Sequence, residues 1–184
     1  RRALILADAI ARKGRGEIEG ELDLLIESQR GRVAESAMLL EAAVRAGELA
    51  APDVLRGAFD AAATAQRTLV ADAESLADRV ADEKAIAETR PEAERTPEDA
   101  LRGASLEGVL AYLDQGIERM GQTRRQLRLR SAERAYRRGA EALAMLKRAR
   151  DQLRDPVEQL GVLVGEVGAV ARATSALASA GGEE

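Results

Sequence analysis

Cysteine and histidine are both absent from this chain of 184 residues. Without cysteine there is no disulfide and no thiol chemistry. The compartment stays open, because cysteine-free chains occur on both sides of a membrane, and the cytoplasm is the default expectation. Without histidine the chain lacks the commonest general base, the commonest transition-metal ligand and the usual pH switch. The same absence excludes the di-iron four-helix carboxylate proteins, which need Glu-x-x-His pairs. Carboxylates remain available to Mg²⁺ or Ca²⁺.

Aromatic residues are nearly missing: Phe59, Tyr112 and Tyr136 are the whole set. No uncharged apolar run reaches the roughly 18 residues that a membrane-spanning helix requires. No signal peptide is visible. The first residue is Arg1 and not Met, so the expectation is a processed product or a piece of something longer.

What remains is Ala, Leu, Val, Glu and Arg in abundance, a composition suited to long helices packed closely together. Heavy use of Ala, Arg, Gly and Glu with almost no Lys, Asn or Ile suggests a GC-rich, bacterial source. The four prolines, Pro52, Pro91, Pro97 and Pro156, fall at joints and interrupt no periodic segment. Thr96 before Pro97, with Asp99 in the first turn, reads as an N-cap with proline at the first helical position. Asp155-Pro156 repeats that signal.

Four helical segments follow: Arg2 to Glu48, with a potential break at Gly14–Gly16; Asp53 to Thr89; Pro97 to Arg154; and Pro156 to Ala180. Apolar stripes support each one. They are Ile18, Leu22, Leu25, Val33, Leu40 and Val44 in the first, and Leu55, Phe59, Ala62, Leu69, Ala73, Leu76 and Val80 in the second. The third carries Leu106, Leu110, Leu113, Ile117 and Met120, resuming at Tyr136, Leu143, Leu146 and Leu153. The fourth carries Val157, Leu160, Val164, Val167 and Val170. Single stripes on long helices predict an all-α, elongated bundle of three to four helices with coiled-coil-like packing. We read one domain over 1–180 and a disordered tail over 181–184.

Charge is distributed unevenly. Residues 119–138 hold eight arginines and one acid, Glu133, for a local charge of +7; the chain totals −4, so the remainder carries −11. Three explanations compete. In the first, extending the Leu106–Met120 stripe brings Arg124 and Arg128 to the core side, where Gln66 and Ser36 lie at a similar height. These four would form a polar layer that fixes register at some cost in stability. In the second, Gly121–Thr123 breaks the third helix and exposes the basic stretch, with Arg125, Arg130, Arg134, Arg137 and Arg138 as a partner surface. In the third, the arginines bind nucleic acid or acidic lipid, although only Tyr136 is interleaved with them and no nucleic-acid motif is present.

Other candidate motifs are weak. Asp78, Asp82 and Glu83 have a spacing that could hold Mg²⁺ on one helix face, but no second acidic cluster accompanies them. The glycines from Gly14 to Gly20 follow no strand, so they do not read as a dinucleotide loop. Gly161, Gly165 and Gly168 would allow close helix packing or a dimer seam. No nucleophile has an identifiable base. The expectation is a non-enzymatic protein–protein interaction module, a scaffold, adaptor or part of a larger machine, which also self-associates. It needs no cofactor or metal. The alternatives are a helical sensor holding a small anion at the polar layer, and a nucleic-acid or acidic-membrane binder.

Overall fold

Buried residues recur at alternating steps of three and four. In the third helix they are Leu106, Val109, Leu113, Gly116, Met120, Thr123 and Leu127. In the next they are Ala132, Ala135, Gly139, Ala142, Leu146, Ala149 and Leu153. Phe59, Ala62, Gln66, Leu69, Ala73, Leu76 and Val80 keep the same step in the second helix. A step averaging 3.5 residues keeps one seam of a helix against its neighbours over many turns.

The computed structural model describes the backbone of residues 2–46, 53–89, 95–154 and 167, and within these the side chains from residue 16 onward except at 46, 53, 54 and 98. The protein is an all-α bundle, and among the described residues there is no strand. Its helices are α1 (Arg2–Ala46), α2 (Asp53–Glu88), α3 (Pro97–Arg128) and α4 (Ala132–Asp151). The chain divides into two compact units, Arg1–Leu153 and Arg154–Glu184. The expected fourth segment, Pro156 to Ala180, and the tail 181–184 lie outside the described residues, except for Val167, which is helical and exposed.

In the first unit each helix packs against two others, in the order α1, α2, α3, α4 and back to α1. Paired contacts make every adjacent pair antiparallel. Glu21 and Gln29 of α1 meet Arg79 and Gln66 of α2. Glu83 near the end of α2 pairs with Arg102 near the start of α3, while Asp60 and Arg67 earlier in α2 share a hollow with Arg124 and Arg128 near the end of α3. The α3–α4 approach is close: a Cβ on Gly116 would lie 3.2 Å from Leu146 Cδ2. Arg150 of α4 closes the ring on Asp23 of α1 at 3.0 Å.

The ends of α3 are built differently. At its start Thr96 Oγ1 accepts from the Asp99 backbone N–H at 3.2 Å, and Asp99 Oδ2 accepts from the Thr96 N–H at 3.0 Å. This reciprocal capping box, with Pro97 at the first helical position, is the start that the sequence predicts. At its end the Arg130 N–H donates to Leu127 O and the Ser131 N–H to Gln126 O, both at 2.9 Å. That is a Schellman closure, and it places Arg130 at φ 57°, a left-handed position that glycine usually occupies.

The expected helix from Pro97 to Arg154 is therefore two helices. The break falls at Leu129–Ser131, while α3 runs unbroken through Gly121–Thr123. A helix reversal needs αL backbone and freed carbonyls, and here an arginine supplies what Gly121 does not. The α1 helix likewise continues through Gly14–Gly16.

Candidate functional site

Two apolar clusters fill the bundle. One gathers Ile18, Leu22, Leu76, Leu113, Met120 and Leu146 with their neighbours; the other gathers Leu39, Phe59, Ala62, Ala63, Leu127 and Ala135. Between them each helix contributes one polar or side-chain-free position. Gln29 Nε2 of α1 donates to the backbone carbonyl of Gly139 in α4 at 3.1 Å. Gln66 Nε2 of α2 donates to Gln29 Oε1 at 3.0 Å. Thr123 of α3 sits against Gly139 and donates its hydroxyl to Arg119 O at 2.8 Å. Gln29 and Gln66 are fully buried, and Thr123 nearly so.

Gly139 is required by the approach. A Cβ there would come within 3.3 Å of Val33 Cγ2 and 3.5 Å of Gln29 Nε2. Its absence lets the glutamine reach a helix carbonyl that already serves its own helix. Gln66 Oε1 is buried with no protein partner.

This layer differs from the expected one. Ser36 and Gln66 are buried. Ser36, however, bonds within its own helix, to Arg32 O at 2.9 Å, and lies one seven-residue repeat beyond Gln29. Arg124 and Arg128 do not lie in the layer: Arg124 is half-buried and Arg128 exposed. Extending the stripe by fours from Met120 assigns them inward. The alternating step instead carries the seam through Thr123 and Leu127, since a step of four overruns a 3.5-residue repeat by half a residue each time. Gln29 was legible from that repeat, because it stands seven residues after Leu22 and seven before Ser36. The same arithmetic leaves Val44, in the expected stripe, exposed.

The arginines displaced from the core form the second feature. Arg124 and Arg128 line two neighbouring surface hollows. One, of about 260 Å³, lies between α2 and α3 and is completed by Asp60, Ala63, Thr64 and Arg67. The other, of about 330 Å³, is completed by Gly121, Arg125 and Leu129. Leu129 is 65% exposed. Arg67 was not among the residues singled out in the sequence. Its signal is its place next to the buried Gln66, which sets it on the flank of α2.

Of the other basic residues expected at a partner surface, Arg125, Arg130 and Arg134 are exposed. Arg137 pairs with Glu133 at 2.6 Å, and Arg138 pairs with Glu141 at 2.7 Å. Among the described residues, no side-chain hydrogen bond or ion pair engages Arg67, Arg124, Arg125, Arg128, Arg130 or Arg134. Elsewhere arginines find acids: Arg30 with Glu27, Arg32 with Glu35, Arg79 with Glu21, and Arg102 with Glu83.

The acidic motif disperses. Asp78 and Asp82 are exposed, while Glu83 pairs with Arg102. Among the described residues no group of three or more carboxylates is placed to hold a metal ion. Among them, too, no helix is long and apolar enough to cross a membrane.

No protein-family model matches this chain, and no curated protein or solved structure matches it.

Proposed function

We propose that this bundle is a non-enzymatic binding module whose working surface is the arginine-rich face of α2, α3 and the α3–α4 turn, and that its partner is the acidic surface of another protein. One observation carries the reading. Arg67, Arg124, Arg125 and Arg128 line two adjoining hollows, and Arg130 and Arg134 follow at the turn and the start of α4. Among the described residues none of the six is in an ion pair with an acid, in a chain whose net charge is −4. Guanidiniums left unpaired at the surface, five of them exposed and that of Arg124 half-buried, cost little in water and remain available to a partner's carboxylates, which they take bidentately. They also speed encounter with a negative surface.

The turn adds support. Holding a side chain at φ 57° costs about 1 kcal/mol relative to glycine. Arg130 occupies that position with its side chain exposed and, among the described residues, in no side-chain hydrogen bond or ion pair, so the gain there comes from the backbone closure alone. Strain kept at an exposed cation is consistent with selection for binding over stability.

Capture with purified protein tests the reading. The wild-type chain and an Arg124→Glu/Arg128→Glu/Arg134→Glu variant are used as baits in extract with and without nuclease treatment. Loss of defined protein partners from the variant alone is expected. Identical captures by the two baits, or a signal that nuclease abolishes, would overturn it. The nucleic-acid alternative carries its own signature, affinity falling roughly a thousandfold between 50 and 200 mM salt for about six phosphate contacts.

A further inference from the structure

The hollow between α2 and α3 has a definite charge. Arg67, Arg124 and Arg128 face it with one carboxylate, Asp60, which leaves +2. Asp60 pairs with none of them. The Thr64 hydroxyl is committed to the Asp60 backbone carbonyl at 2.9 Å. Along α2 the positive segment is short. Asp60 lies seven residues before Arg67 and Glu74 seven after, so exposed acids stand on the same helix face two turns away on either side.

Those limits discriminate between anions. A carboxylate offers one charge and two oxygens, which a single guanidinium satisfies. A nucleic-acid strand or an acidic bilayer spreads single charges over a long track, and a track along α2 would meet Asp60 inside the hollow and Glu74 beyond it. A phosphomonoester carries about −1.5 to −2 and three acceptor oxygens in one compact group. It matches three guanidiniums and a net +2.

We infer that this hollow is a subsite for a phosphomonoester carried on a protein partner, a phosphorylated serine or threonine in an extended segment. The inference rests on the protein-binding reading above and names the group recognised. Arg67 reaches the phosphoryl oxygens from one wall, Arg124 and Arg128 from the other. The Arg124–Arg128 pair is shared with the hollow lined by Gly121, Arg125 and Leu129, which receives the residues flanking the phosphate. Asp60 weakens the site and so keeps binding reversible.

The test uses the full chain and fluorescein-labelled Gly-Gly-phosphoserine-Gly-Gly, with its serine and glutamate counterparts. Fluorescence polarisation is read at low salt, beside a poly-dT oligonucleotide and vesicles containing phosphatidylserine. The phosphoserine peptide is expected to bind at least about tenfold more tightly than the glutamate peptide. Arg67→Gln removes most of that preference and Asp60→Asn increases affinity several-fold. Circular dichroism confirms that both variants fold. Equal binding of the phosphoserine and glutamate peptides, lost together in Arg124→Glu/Arg128→Glu, would overturn the phosphate subsite and leave the protein-binding reading standing. Binding confined to the oligonucleotide or the vesicles would overturn both. Absence of phosphoserine binding, or indifference to Arg67→Gln, also overturns the subsite, while the capture experiment judges the broader reading separately.

Discussion

The side-chain amide of Gln66 donates to the side-chain oxygen of Gln29 across 3.0 Å, inside the bundle and away from water. Gln29 in turn holds the Gly139 carbonyl. Removing one partner orphans the other. Gln29→Leu alone is therefore expected to destabilise by about 1–3 kcal/mol. The double variant Gln29→Leu/Gln66→Leu joins the two apolar clusters and removes the unpartnered Gln66 Oε1, so it should be neutral or more stable than wild type. Urea unfolding followed by circular dichroism checks both. A double variant as unstable as the single would show that the layer does more than satisfy itself.

Arg130→Gly relieves the left-handed backbone at the α3–α4 turn. Stability is expected to rise by about 1 kcal/mol, somewhat less after the entropy that glycine adds to the unfolded chain. Partner affinity should fall modestly at the same time. A more stable variant with undiminished binding would remove Arg130 from the proposed surface.

Two glycines with opposite surroundings provide a contrast. Gly121 has open space where a Cβ would be and lies inside α3, about two turns from its end. Gly121→Ala should therefore stabilise by about 0.5–1 kcal/mol. Gly139 faces Val33, Gln29 and Thr123. Gly139→Leu should cost about 1–3 kcal/mol by overpacking, plus the displaced glutamine. Thermal unfolding of the pair checks the contrast, and a destabilised Gly121→Ala would argue against a continuous α3.

Thr96→Ala removes the side-chain half of the capping box and leaves the Asp99 N–H without its acceptor. A loss of about 1 kcal/mol is expected. Hydrogen exchange should quicken in the first turn of α3 and stay unchanged near the Gln29–Gln66 layer.

Secondary structure was readable because local chemistry dictates it. Thr96, Pro97 and Asp99 state a helix start without tertiary help, and the α2 stripe from Phe59 to Val80 matches the buried set. Phase was harder to read. Leu110 and Ile117 are apolar but half-buried, while Val109 and Gly116 hold the seam. A stripe drawn through the larger side chains therefore drifts and carries Arg124 and Arg128 inward. The reversal at Arg130 was hidden for a related reason. Its αL backbone follows from how α3 and α4 must meet, and no glycine marks it. Arg67 escaped notice because only the pairing of α2 with α3 brings it to Arg124.

The shared step of three and four has a consequence for how such a chain can change length. Since the buried positions of α2, α3 and α4 recur every seven residues, the bundle can grow or shrink only in whole storeys. An insertion of one to three residues within a helix would rotate everything beyond it and turn Gln29, Gln66 or Thr123 toward solvent. A seven-residue insertion restores the phase, but it needs a matching storey in every neighbour. Length in this molecule is counted in units of seven, and the glutamine layer is the mark from which the storeys are numbered.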